Sequence, residues 1–151
     1  MAAEAATIHA SAVLVGRKAV LIRGAPGAGK SNLAWHLVQA GSTGALPFAR
    51  LIADDRAYVE VRGGRLLVRP HASLAGLIEI RGVGIRRLAY EPLAVAGFVI
   101  DLSAGDAERY PSETAQQAEI DRVILPRLAV AAGVAPLPAA LAFLTTAAAG
   151  N

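Results

Sequence analysis

The chain has 151 residues, is 54% hydrophobic and carries a formal net charge of +3, which suits one ordered domain and excludes a disordered chain. It contains no cysteine, so disulfides, thiolate chemistry and a cysteine zinc site are excluded, and a reducing cytoplasm fits. Aromatics are only 5% and the arginines are scattered, so the basicity is a mild bias toward anionic ligands or an acidic partner and does not make a nucleic-acid surface.

In chain order, "MAAEAATIHA" carries Glu4 and no basic n-region, so no secretory leader is expected. "AVLVG" (12–16) and "KAVLIR" (18–23) are apolar runs split by a Gly-Arg turn and predict a hairpin. "KSNLAWHLVQA" has helical spacing at Leu33, Leu37 and Val38 and is expected to stop at Gly41. "ARLIADD" predicts an apolar strand ending in two aspartates, and "AYVEVRGGRLLVRP" a hairpin about Gly63-Gly64. "SLAGLIEIRGVGI" mixes strand and loop, and "LAVAGFVIDL" is a buried strand ending near Asp101. "GDAERYPSETAQQAEI" is polar and loop-like, and "DRVILPRLAV" is one more strand. After Arg127 no charged side chain follows, but Gly133, Pro136 and Pro138 break the run, which predicts a buried or oligomer-facing tail with a short helix and no membrane span. With no repeat and no linker, residues 1–151 read as a single mixed α/β domain of largely antiparallel flavour.

"GAPGAGKS", from Gly24 through Ala25, Pro26, Gly27, Ala28, Gly29 and Lys30 to Ser31, matches the spacing G-x-x-x-x-G-K-[ST]. Glycines let backbone N–H groups approach phosphate oxygens, and the following helix points its positive end at the same anion. Lys30 can reach the β- and γ-phosphates of a nucleotide, and the Ser31 hydroxyl can ligate Mg²⁺. The motif predicts nucleotide binding and leaves the reaction open.

Phosphoryl transfer needs a carboxylate for the metal and often another for the nucleophile. Asp54 and Asp55 end an apolar strand soon after the phosphate-loop helix, and in a βαβ crossover that strand can lie beside the one feeding the loop. Adjacent strand residues point to opposite faces, so the two should not share a role unless the strand has ended. "FVID", ending at Asp101, has the same form. Composition does not separate these candidates.

The order "IHASAVLV", "GAPGAGKS", "LIADD", "EIRGVGI" resembles the catalytic domain of the bifunctional HPr kinase/phosphorylase family, convincingly over about residues 7–102. "EIRGVGI" (79–85) resembles that family's own signature segment and is the more specific part. The resemblance implies a P-loop kinase-type α/β fold with a mixed sheet and several hairpins. It also implies a bacterial, cytoplasmic serine kinase that uses ATP and Mg²⁺ to phosphorylate HPr, the phosphocarrier of the phosphotransferase system, and a hexameric assembly. Carried over by motif, Gly24 to Ser31 bind the nucleotide and Asp55 is the general base. Asp54 sits by the metal and phosphates, Glu79 is a magnesium ligand, Arg81 steadies transferred phosphate, and His9 is an active-site histidine. His36 and His71 have no motif support and are structural. The chain resembles the short members that lack the N-terminal domain. It departs from the family at Asn32, where an acidic residue is common. It also has no "GRN"-like segment for the reverse phosphorolysis, for which Arg127 in "LPRLAV" is the nearest piece. The resemblance therefore implies the kinase direction first and leaves the phosphorylase direction, in which Asp55 would return a proton, open. A small-molecule kinase and a nucleotide sensor without chemistry remain alternative readings of the same loop.

Overall fold

Apolar residues on β3 (Lys18–Arg23) alternate between two cores, which explains why this strand lies in the middle of the sheet. The computed structural model describes residues 6–149, so the leader expectation built on Glu4 lies outside the described residues. β1 (Ala6–Ile8) and β2 (Ala10–Val15) precede β3, and β2–β3 form the expected antiparallel hairpin, with Val13 opposite Val20. α1 (Lys30–Thr43) follows the glycine-rich loop, then β4 (Ala49–Ala53) and the hairpin β5 (Ala57–Arg62) and β6 (Arg65–Pro70), which turns at Gly63-Gly64. β7 (Leu77–Ile80) and β8 (Gly84–Arg87) form a separate two-stranded hairpin. β9 (Ala94–Leu102), β10 (Gln117–Ile120), β11 (Val123–Val130) and α2 (Pro136–Thr145) complete the chain.

Among the described residues the main sheet has nine strands and is mixed. β9 pairs in parallel with β3 along one edge. Its other edge is divided between β6, antiparallel at Ala94 and Val95, and β11, parallel from Val99 to Leu102. The hairpins and their antiparallel neighbours make most of the pairings, as expected, and the two parallel pairs of β9 are the ones that no hairpin made visible locally. β4 pairs with β2, which stands between it and β3. The strand after α1 is thus one place further out than the simplest crossover puts it.

Val20, Ile22, Leu33, Leu37, Leu51 and Ile100 lie in the core beneath α1. Ala19, Leu21, Ile52, Val59, Val68 and Val99 lie in the second core, to which the β5–β6 hairpin contributes. Along β3 the residues go to the two cores in turn, as a period of two requires. Leu137, Leu141, Phe143 and Leu144 of α2 are half-buried against the first core, with Phe143 edge-on to Phe98, and Ala140 is the fully buried residue of the helix.

Two sequence expectations shift. β10 forms where a polar loop was expected, because Ala118 and Ile120 are buried between exposed Gln117 and Glu119, a two-residue alternation hidden in polar composition. α1 runs through Gly41 and ends at Gly44, whose φ of 86° is a left-handed cap. Gly41 serves a close crossing instead, since a Cβ there would lie 2.7 Å from the Ala49 backbone nitrogen. Gly41→Ala is therefore expected to destabilise by about 1–3 kcal/mol through overpacking, despite alanine's better helix propensity. Thermal unfolding checks this, and an unchanged midpoint would mean that the crossing has slack.

Candidate active site

The loop between β3 and α1 closes on itself. Ala28 N–H donates to the Ala25 carbonyl at 3.0 Å, and Leu33 N–H donates to Gly29 O at 3.0 Å. Gly29 caps α1 at φ 100° with no side-chain cap. That conformation favours glycine, and it leaves the first N–H groups of α1 without a side-chain acceptor, an arrangement suited to an anion. Lys30 is only 7% exposed. Its Nζ donates to Gly24 O at 2.9 Å and Ala25 O at 3.4 Å, and stands 3.7 Å from Asp55 Oδ1. The ammonium is thus held against the loop, beside a carboxylate.

β4 ends at Ala53, so both aspartates lie past the strand and their environments diverge. Asp54 Oδ1 accepts from the Ser31 hydroxyl at 2.6 Å and the Ser11 hydroxyl at 2.8 Å, and Asp54 Oδ2 accepts from the Glu79 N–H at 3.0 Å. One half-buried carboxylate therefore ties together β2, α1 and β7. Asp55 turns outward with a side chain 72% exposed, in a left-handed conformation at φ 64°. Its N–H donates to Ser11 Oγ at 3.1 Å.

These groups edge a cleft of about 280 Å³. Pro26, Gly27 and Gly29 to Asn32 form its floor, with Asp55, Glu79 and Arg81 on its walls. Gly24, Ala25 and Ala28 shape the loop from behind and do not line the cleft; Asp54 sits behind Ser31. His9 is exposed between β1 and β2 and is also absent from the lining, although its neighbour Ala10 pairs with Arg23, the residue before the loop. Sequence reasoning missed Ser11. Its signal was a hydroxyl inside the apolar run "ASAVLV".

Ser31, Asp54 and Glu79 are hard oxygen donors, the chemistry that suits Mg²⁺. Among the described residues no three His, Cys, Asp or Glu side chains gather into a metal cage. Mg²⁺ ordinarily takes one or two carboxylates together with substrate phosphates, so the donor set fits an ion that arrives with a nucleotide.

Asp101 belongs to a different cluster. It accepts from Arg23 Nε at 2.7 Å and Arg127 Nε at 2.5 Å, while Arg127 also forks onto Asp106 at 2.7 and 3.0 Å and donates to Ala115 O. Burial pushes the Asp101 carboxyl up, but the hydrogen bonds and charges of Arg23 and Arg127 outweigh it and hold the group below the ordinary carboxylate range. The Arg127 hydrogen bond also holds Asp106 down, and Arg127 is raised in turn, chiefly by Asp106. Arg127 thus pins the loop after β9. A carboxyl depressed in the folded state stabilises fully above its ordinary value of 3.8 and loses that contribution as pH falls through the lower folded value. Asp101→Asn is expected to cost roughly 2–3 kcal/mol near neutrality. Its difference from wild type should shrink below pH 3.8, as thermal melts across the acid range would show.

His71 accepts from the Ser73 N–H at 3.2 Å and stacks on Tyr58, a local structural role, and His36 lies along α1. No helix among the described residues is long and apolar enough to cross a membrane.

The family model described as "HPr Serine kinase C-terminal domain" matches residues 1–89. The chain belongs to this family. The match stops short of β9, so the "FVIDL" end of the resemblance read over residues 7–102 falls beyond it. The chain is 42% identical over 84 residues to the HPr kinase/phosphorylase of Streptococcus thermophilus LMD-9, an alignment covering 55% of this chain and 25% of that protein. It is 35% identical over 77 residues to the one from Mycoplasma mycoides subsp. mycoides SC, covering 51% and 22%. The match thus spans about a quarter of the length of these relatives. A solved structure of the Hpr(Ser) kinase/phosphatase from Coxiella burnetii matches at a TM-score of 0.72 and 22% identity, over 92% of this chain and 93% of that one. That likeness carries the fold, a P-loop kinase-type α/β domain, over more of the chain than the family model matches.

Proposed function

We propose that this chain is a single catalytic domain that transfers the γ-phosphate of ATP to a serine of an HPr-like phosphocarrier protein. The observation that carries the reading is Asp55. Its carboxylate is 72% exposed, at the rim of the phosphate-loop cleft and 3.7 Å from Lys30 Nζ. A base presented at the surface suits a protein acceptor, which brings its own serine and covers the site from water as it docks.

In this reading the loop N–H groups and Lys30 hold the phosphates, and Ser31, Asp54 and Glu79 hold Mg²⁺. The ion, when bound, supplies charge neutralisation at the β- and γ-oxygens. Asp55 takes the proton of the acceptor hydroxyl as its oxygen bonds to the γ-phosphorus and the bond to the β–γ bridging oxygen breaks, releasing ADP. Arg81, on the cleft wall, steadies the transferred group by charge and hydrogen bonding. His9 acts at the margin of the site, from just outside the cleft lining. The reverse phosphorolysis stays open in this reading: the relatives are named HPr kinase/phosphorylase, while Arg127, the residue nearest to the missing segment, is engaged by Asp101 and Asp106. A cytoplasmic hexamer remains the expectation from the resemblance, checked by light scattering.

Labelled ATP and Mg²⁺ offered with an HPr-like carrier, with hexoses and with nucleoside monophosphates test the acceptor class. Label on the carrier alone supports the proposal. Turnover on a small molecule with none on the carrier favours a small-molecule kinase, and binding without turnover favours a sensor.

A further inference from the structure

Ser11 is a polar side chain fully buried in β2, between Ala10 and Ala12, which are also fully buried. A hydroxyl there is costly unless it is satisfied, and this one is satisfied entirely by the two aspartates. It donates to Asp54 Oδ1 at 2.8 Å and accepts from the Asp55 N–H at 3.1 Å. One oxygen therefore fixes the carboxylate of the first aspartate and the backbone of the second.

The second contact falls where the backbone needs holding. Asp55 adopts φ 64°, a conformation that non-glycine residues keep only when their surroundings fix it. The other local restraint is a tight turn in which Arg56 N–H donates to Asp54 O at 2.7 Å. Asp55 itself is exposed, so no packing orients its side chain, and its contact to Lys30 Nζ is a long one at 3.7 Å. Its direction is set chiefly by the backbone, and the backbone is pinned from below by Ser11. Asp54 also holds Ser31 at 2.6 Å, so the same hydroxyl reaches the phosphate loop through a single intermediate.

We infer that Ser11 is a positioning residue, whose buried hydroxyl locks the Asp54–Asp55 turn so that Asp55 faces the phosphate-loop cleft. The inference rests on the kinase reading for its effect on turnover, and on geometry alone for its effect on the turn. Ser11→Ala removes the oxygen without adding volume, in a strand whose neighbours are already alanine. Ser11→Thr keeps the hydroxyl.

Two readouts on the same samples decide the matter. Amide hydrogen exchange followed by NMR should show the Asp55 N–H exchanging about 10-fold faster in Ser11→Ala, with the paired amides of β2 and β4 still protected. Phosphoryl transfer should show kcat reduced about 10- to 100-fold with the KM for ATP nearly unchanged, the size expected for hydrogen bonds involving a charged group. Ser11→Thr should stay near wild type in both. Unchanged Asp55 exchange in Ser11→Ala overturns the inference. So does a general loss of protection across β2 and β4, which would make Ser11 merely structural, and so does a folded Ser11→Thr that behaves like Ser11→Ala. If wild type and variants alike transfer nothing, that failure falls on the kinase reading, and the exchange result still decides the role of Ser11 in the turn.

Discussion

Asp55→Asn is expected to lower phosphoryl transfer by about 10²- to 10⁴-fold, the range for removing a general base, with nucleotide affinity nearly unchanged. Asparagine is the informative substitution for a backbone reason. Asp55 sits at φ 64°, and asparagine tolerates that region as well as aspartate does, whereas alanine would add strain and blur the result. The side chain is exposed, so no core packing is lost. Lys30 keeps its bonds to the Gly24 and Ala25 carbonyls when its longer contact to Asp55 is weakened, so the phosphate loop should hold its shape. Turnover and calorimetric nucleotide binding, measured together, check this. Transfer at the wild-type rate by Asp55→Asn removes Asp55 as the base.

Lys30→Met is expected to act on both binding and turnover. The residue is nine-tenths buried and its ammonium is held against the loop. Methionine keeps the apolar stem but supplies no charge to phosphate. Transfer should fall by about 10²- to 10³-fold, as for removal of one preorganised donor, and nucleotide affinity should fall with it. The loss of affinity distinguishes this variant from Asp55→Asn, in which binding survives. Arginine would be a poor control, since its planar fork does not fit the place of a compact ammonium. Circular dichroism guards against a folding defect, because two loop carbonyls lose a donor. A Lys30→Met protein that binds and transfers like wild type would place the phosphates elsewhere.

The parts of this site that were legible in the sequence are those in which chemistry is local. Gly24 to Ser31 lie between a strand and a helix, and the motif, its dihedral demands and the helix terminus fall within eight consecutive residues. The Asp54-Asp55 pair was visible as the end of an apolar run, but the division between them was not. It depends on Ser11, 43 residues before Asp54, and on Glu79, 25 residues after it. Asp101 looked equivalent because "FVID" and "LIAD" share a local form. Only Arg23 and Arg127, brought alongside by the parallel pairing of β9 with β3 and β11, distinguish it. The mixed sheet came from the resemblance, but which strands run parallel was not readable in the residues, since hairpins announce themselves in sequence and parallel neighbours do not. β10 and the continuation of α1 through Gly41 were missed for a smaller reason. Polar composition masked a two-residue alternation in one, and a glycine chosen for close packing resembled a cap in the other.

The central claim is that this site moves phosphate onto a serine of another protein, and mass spectrometry of the acceptor tests it most directly. The chain would be incubated with ATP, Mg²⁺ and HPr-like carrier proteins, with Asp55→Asn in parallel, and each carrier mapped for phosphate. The account predicts one phosphoserine on a carrier incubated with wild type and almost none with Asp55→Asn. A chain that binds ATP yet leaves every carrier serine unmodified would contradict it.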